Sequence, residues 1–297
     1  MIVARLFGGL GNQLFIYAYA FSLAKRLNQE LLLDATSGFS RDFIFCRENN
    51  LKYFNIQTRR PKPIYIHDGV IGRIFRKIFR KFDFPLRLFK VYYITDKNID
   101  ISLLKLQYSK YIYLEGYFNS HQLFKDYRVE IRESLMMTMP HSYLSEKVRF
   151  IFDDKSSQKI CIHYRSYKDV PIKNRSQNLI INERYYLEAI SFFQEKFNKV
   201  QFIVFSDDIP QAKIILKNDD IKFIDNIHFI ENNNSDIPAQ IKDFILMTQC
   251  DHYIIANSTF SWWGAFLSNN DSKIVLRPSY EFYSQNNHFY PDDWIQI

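Results

Sequence analysis

The sequence predicts an α/β protein of two Rossmann-like lobes facing each other across a cleft. Three observations lead there. The first 34 residues read strand, glycine loop, helix, strand; residues 160–276 alternate short apolar strands with helix-period segments; and Pro140 with the polar stretch 153–159 separates the two patterns. A chain of 297 residues is long enough to bury two cores of ordinary size. The expected lobes are therefore residues 1–152 and 153–297.

In the first lobe, Ile2, Val3, Ala4 and Leu6 make residues 2–6 a buried strand, and Gly8, Gly9 and Gly11 a tight loop. Residues 13–27 carry Leu14, Tyr17, Ala18, Phe21 and Ala24 on one helical face, and residues 30–34 form the next strand. Residues 36–60 lack a period and read as irregular. From Ile71 onward, Ile74, Phe75, Ile78, Phe79 and Phe82 recur at helical spacing, with Arg73, Arg76, Lys77, Arg80 and Lys81 between them. Such a basic amphipathic helix either packs its apolar stripe on the lobe or lies on an anionic leaflet. Residues 111–115 read as a strand and 119–136 as a helical region.

In the second lobe the expected strands are 160–164, 201–205, 222–224, 228–230, 253–256 and 273–276. The expected helices are 182–197, 210–217, 237–248 and 260–267, which together describe a parallel sheet.

Composition excludes several classes. Hydrophobic residues at 47% and charged residues at 24% exclude a disordered chain. No run of 18 apolar residues exists, and the N-terminus leads straight into a strand rather than a signal peptide, so a cytoplasmic location is expected. Cys46, Cys161 and Cys250 are odd in number and far apart, which reads as reduced, mostly buried thiols. Residues 59–90 hold ten Lys or Arg against Asp68 and Asp83, whereas the rest of the chain holds 29 basic and 30 acidic residues. The net charge of +7 thus belongs to one segment. Residues 71–90 are the expected peripheral contact with the inner face of the cytoplasmic membrane, while nucleic acid is a poor partner for one short patch without a reading motif.

Four motifs carry chemistry. Gly8-Gly9-Leu10-Gly11-Asn12-Gln13 joins a strand to a helix, where free N–H groups favour phosphate; a plain tight turn is the alternative. In Ile160-Cys-Ile-His163-Tyr-Arg165, His163 and Arg165 share one side of a strand, and an arginine fork suits a phosphate; a structural ion pair and a core imidazole are the alternatives. Phe205-Ser206-Asp207-Asp208 ends another strand in acids that could bind a ribose or base, or cap the next helix. Finally, a strand runs into Asn257, Ser258, Thr259 and Phe260, small polar residues that can cap a helix and address a phosphate, with Trp262 and Trp263 packing inside that helix. There is no D-x-D, H-E-x-x-H or Cys/His cluster, so neither a metal nor a cofactor is expected, and positive groups and helix starts must stabilise any leaving diphosphate.

Taken together, GGLGNQLF, HYRSYKD, FIVFSDD and DFILMTQCDHYIIANSTFSWWGAFLS resemble glycosyltransferase family 11, the α-1,2-fucosyltransferases, in order and from Gly8 to Ser268. The resemblance implies a GT-B-like fold, GDP-β-L-fucose as donor, no metal, inversion, and a galactose-containing acceptor, lipid-linked in O-antigen synthesis. It assigns the GDP-sugar to residues 153–297 and the acceptor side to residues 1–152. Arg165 carries over as the diphosphate grip, Asn257, Ser258 and Thr259 as phosphate contacts and Asp207 as the nucleoside contact; Gly9, Gly11, Asn12, Ser206 and Phe260 complete the expected donor set. The family's central motif reads H-I-R-R-G-D, but here Ser166 takes the second arginine position and Asp169 lies one residue late. Asp34, His163 and Asp169 are the candidates for a general base, and leaving-group stabilisation without a dedicated base is the alternative. Two other readings stay open, a transferase of another GDP-sugar and a non-catalytic nucleotide-sugar or glycan binder; a nicotinamide enzyme is disfavoured by the missing G-x-G-x-x-G.

Overall fold

A computed structural model describes residues 1–81, 90–97, 99, 102–137, 144–171, 181–216, 226–232, 236–279 and 288–297. The expected strand at 222–224, the boundary residue Pro140 and the 82–89 part of the basic segment lie outside the described residues. The chain divides into two compact units, residues 1–136 with 286–289 and residues 137–285 with 290–297. Beside the expected division at 152/153, the helix Glu146–Asp153 thus belongs to the second unit.

The first unit is built on β1 (Ile2–Arg5), α1 (Leu10–Leu27), β2 (Leu31–Asp34), α2 (Gly69–Lys81), β3 (Val91–Ile94), α3 (Leu103–Gln107), β4 (Tyr111–Leu114) and α4 (Arg128–Leu135). Its four strands are parallel in the order β2-β1-β4-β3. Helix α1 starts three residues earlier than its apolar period suggests, because Gly9 is an extended N-cap at φ −72° and ψ 171°. Gly11 and Asn12 therefore lie in its first turn. The helix ends at Asn28 in the left-handed region. Residues 119–136 are not one helix: the turns His121–Leu123 and Lys125–Tyr127 precede α4, with Phe124 between them fully buried. Strand β3 has no sequence counterpart above, being only four residues long after the basic segment.

The second unit comprises α5 (Glu146–Asp153), β5 (Gln158–Tyr164), α6 (Glu183–Lys196), β6 (Val200–Ser206), α7 (Ile209–Leu216), β7 (Ile227–Phe229), α8 (Ala239–Thr248), β8 (His252–Ile254), α9 (Thr259–Phe266), β9 (Val275–Arg277) and β10 (Ile295–Gln296). The strands are parallel in the order β10-β9-β8-β5-β6-β7. Ile160, Ile162, Phe202, Val204 and Ile254 from three neighbouring strands meet Tyr186, Ala189 and Phe193 of α6 in one buried core. Trp262 and Trp263 are fully buried, as packing residues must be. Cys161 and Cys250 are buried free thiols, whereas Cys46 is exposed.

Each sheet has a point of strand-order reversal, where the chain leaves its first strand on one side and later fills the place on the other. In the first, β1 leads to β2 on one side, the chain crosses to the edge strand β3, and β4 then fills the place beside β1; in the second, β5 leads through β6 to β7 and returns to β8. The crevices at the carboxyl ends of the β1/β4 and β5/β8 pairs are the ligand positions that this topology creates.

Candidate functional site

In the second unit, the residues at the β5/β8 reversal form one connected group. Arg165 follows β5, and its side chain is 18% exposed. Its Nη1 donates to Asp207 Oδ2 at 2.6 Å and its Nη2 to Asp169 Oδ1 at 2.5 Å, while the guanidinium stands 4.9 Å over the Tyr167 ring. These bonds occupy two of the five N–H donors of the fork. Tyr167 sits in the left-handed region at φ +57°, and its hydroxyl, pushed up to about 12 by burial, donates to the main-chain carbonyl of Asn257. The end of β5 is thereby tied to the segment between β8 and α9.

The three acidic and polar residues after β6 separate into distinct jobs. Asp207 accepts from Arg165, from the Ser166 N–H at 2.7 Å and from the Ser166 hydroxyl at 3.0 Å, so it clamps the arginine. Asp208 accepts from Gln211 N at 3.2 Å and caps α7, while Ser206 Oγ accepts from Asp208 N at 2.9 Å and shapes the turn. Ser166, where the family motif has a second arginine, is short enough to bring both its hydroxyl and its N–H onto one carboxylate.

On the β8 side, Ser258 caps α9 by accepting from Phe260 N at 3.3 Å, and Thr259 opens the helix. The start of α9 thus follows β8 directly, and the first turn of a helix favours an anion. Phe260 packs its ring between His163 at 5.7 Å and Phe244 at 5.3 Å. His163 is buried, and burial first and the Arg165 charge second hold its imidazole down to about 3, so it is neutral at physiological pH. His163 Nδ1 and Asn257 Nδ2 are buried without a hydrogen-bond partner among the described residues. Each such orphan costs roughly 1–3 kcal/mol unless a water, an ion or a ligand completes it.

In the first unit, the glycine loop follows β1. Gly8 has φ +78°, and a Cβ there would stand 3.1 Å from both Asn12 Nδ2 and the Tyr117 ring, so only glycine lets the loop close this tightly. Gln13 is fully buried; its Nε2 donates to the carbonyls of Gly8 at 2.9 Å and Glu48 at 2.8 Å, and its Oε1 accepts from Asn50 N at 2.9 Å. Gly9 and Gly11 are thus presented at the start of α1, beside an Asn12 Oδ1 that is buried and unpartnered among the described residues. Asp34, at the end of β2, is fully buried and accepts from Thr36 N and Oγ1, Ser37 N and Oγ and the Tyr113 hydroxyl. Five donors fill a carboxylate that offers about four lone-pair sites, so none is directed at an acceptor hydroxyl. Asp34, expected as a base candidate, is held by these bonds as the organiser of the β2 loop.

Sequence reasoning passed over Arg5, which ends β1 and donates to Glu115 at 3.1 Å and Ser37 at 3.0 Å, and His67, stacked 4.5 Å from Tyr113. Arg5 carried a legible signal as the one charge in an apolar strand; His67 carried none, because its neighbour Tyr113 is remote in sequence. Among the described residues no group of three or more His, Cys, Asp or Glu is placed to hold a metal ion. No helix of the described residues is long and apolar enough to cross a membrane.

A variant of Arabidopsis thaliana FUT1 solved in complex with GDP has a similar fold, with a TM-score of 0.56 at 12% identity over 94% of this chain and 71% of that chain. The parallel sheets define an α/β protein of the GT-B-like class. Residues 1–297 match the family model of Glycosyl transferase family 11, and the chain belongs to that family of glycosyltransferases. It is 29% identical over 303 residues to an Alpha-1,2-colitosyltransferase of Escherichia coli, covering 100% of this chain and 99% of the relative. It is 27% identical over 320 residues to the O-antigen biosynthesis glycosyltransferase WbnK of Escherichia coli, with coverage of 98% and 99%.

Proposed function

We propose that the protein transfers L-fucose from GDP-β-L-fucose to the 2-hydroxyl of a galactose-containing acceptor in O-antigen synthesis in the cytoplasm, inverting the anomeric carbon and using no metal. The second unit holds the GDP-sugar and the first unit receives the acceptor. The observation that carries this reading is Arg165: a half-buried guanidinium at the β5/β8 reversal, positioned by two carboxylates and one aromatic ring, with three N–H donors beyond those two bonds. The acceptor oxygen attacks the anomeric carbon as the bond to the diphosphate oxygen breaks, and the electron pair leaves with GDP. Arg165 and the start of α9 favour that departure. The proton of the acceptor hydroxyl goes to Asp169, whose side chain is 40% exposed; His163 and Asp34 are buried. Gly9, Gly11 and Asn12 offer a second helix start at the β1/β4 reversal.

A second donor is favoured by one finding, the relative named for colitose transfer, which spans the whole chain. Incubation with GDP-fucose or GDP-colitose and a panel of galactosides, with chelator present, tests both. A 2-linked product with only one donor fixes the sugar. Tight GDP binding without GDP release from any donor and acceptor pair would leave a non-catalytic binder, and a rate that chelator abolishes would overturn metal independence.

A further inference from the structure

Helix α2 turns its apolar side away from the protein. Ile71 is 71% exposed, Ile74 54%, Phe75 46% and Ile78 45%. At about 3.6 residues per turn these positions form one continuous arc. The flank beyond Phe75 anchors the helix: Phe79, stacked 5.6 Å from Phe75, packs 6.0 Å from Tyr93 and 5.9 Å from His67, and Arg76 approaches Glu115 at 3.9 Å. Gly72 lies so close to the chain that a Cβ would fall 2.4 Å from the His67 main chain. Beyond Ile74, on the side away from Phe79, exposed Lys77 comes next round the helix and Arg73 follows it, its Nε donating to the Gly69 carbonyl at 2.9 Å. The alternative left open by the sequence, an apolar stripe packed on the lobe, is therefore not what this unit does with those side chains.

We propose that α2 is an interfacial helix that docks the protein on an anionic lipid surface, with Ile71, Ile74, Phe75 and Ile78 entering the headgroup and acyl boundary and Arg73 and Lys77 meeting lipid phosphates. The charge distribution selects this occupant. Ten basic residues against two acidic ones lie in segment 59–90, while the rest of the chain is close to neutral. Exposed Ile64 and Lys62, on the turn just before α2, extend the same mixture of apolar and cationic groups. A contiguous apolar face rimmed by cations gains both from burial in the acyl boundary and from the negative surface potential. A second copy fits less well, because a two-fold pairing of this arc would oppose Arg73 and Lys77 to the same cations.

The inference does not rest on the transferase reading, and its test needs no activity. The full chain is sedimented at low salt with vesicles of phosphatidylcholine alone and of phosphatidylcholine mixed with phosphatidylglycerol. Recovery is expected with the anionic vesicles and little with the neutral ones. The double variant Arg73→Ala, Lys77→Ala should partition about thirtyfold more weakly, at roughly one kcal/mol per charge near the surface. The variant Ile74→Ser, Phe75→Ser should lose binding while keeping the wild-type circular dichroism, since both side chains are exposed in the folded protein. Equal recovery with the two vesicle types, or recovery unchanged in both variants, overturns the proposal. So does a dimer by light scattering that the Ile74→Ser, Phe75→Ser variant dissolves while vesicles recover no protein.

Discussion

The hydroxyl of Tyr167 donates to the main-chain carbonyl of Asn257, ninety residues away in sequence. This bond joins the end of β5 to the start of α9, and the same ring lies under the Arg165 guanidinium at 4.9 Å. One tyrosine therefore fixes both the cation and the helix start. Tyr167→Phe keeps the ring and leaves the carbonyl without its donor, so unfolding in urea should show a loss of about 1 kcal/mol. Donor KM should rise while the acceptor KM stays near wild type. An unchanged donor KM would reduce Tyr167 to a structural residue.

In the proposed mechanism Arg165 favours GDP departure, so Arg165→Ala should lower kcat/KM by about 2–4 kcal/mol of transition-state stabilisation. Arg165→Lys should recover little of it, because a single ammonium cannot span Asp207, Asp169 and a phosphate at once. Steady-state kinetics on the two variants checks this, and near-normal kcat/KM in either would take Arg165 out of the reaction.

Asp34 separates a structural from a catalytic carboxylate. In Asp34→Asn one oxygen becomes an NH2 group facing the Thr36 and Ser37 donors, or the Ser37 and Tyr113 hydroxyls, in a site closed to water. Stability should fall by about 1–3 kcal/mol. Activity per folded molecule should stay near wild type, whereas loss of a general base costs roughly 10²–10⁴-fold. Urea unfolding paired with kinetics on the folded fraction distinguishes the two.

The pH dependence of stability reports on His163. Its imidazole is held near 3 by burial and by Arg165, against an ordinary value of 6.5. Between those limits the unfolded chain binds a proton that the folded chain refuses. The stabilisation is complete above pH 6.5 and is lost as the pH falls toward 3, at about 1.4 kcal/mol per pH unit, or about 2 kcal/mol by pH 5. Asp243, pushed up to about 6 by burial, acts in the opposite sense, since there the folded chain holds a proton that the unfolded one has released. His163→Gln removes the first effect and keeps the second. Its apparent unfolding free energy, measured at pH 7 and pH 5, should therefore decline less than that of the wild type; equal declines would show His163 to be open to protons in the folded state.

Much of the fold was legible because its signals are local. Alternating apolar runs mark β5, β6 and β8, the apolar face of α6 repeats at helical spacing, and the glycines after β1 announce the turn into α1. The position of the candidate site was legible in part for the same reason: Arg165, Asp207 and the residues at 257–260 follow strand ends, where this topology puts ligands. What the residue types could not say was who holds whom. Asp207 and Asp208 look alike in sequence, yet one clamps Arg165 and the other caps α7.

By itself the sequence determined the parallel α/β architecture, the family and the positions of the motifs, since each follows from period, turn chemistry and residue order along a short stretch. Only the tertiary structure decided that Asp34 is saturated, that His163 is neutral, that Tyr167 reaches Asn257 and that α2 faces outward. Those facts depend on contacts between residues tens to hundreds of positions apart and on the exclusion of water around them, and neither quantity is carried by any local pattern of side chains.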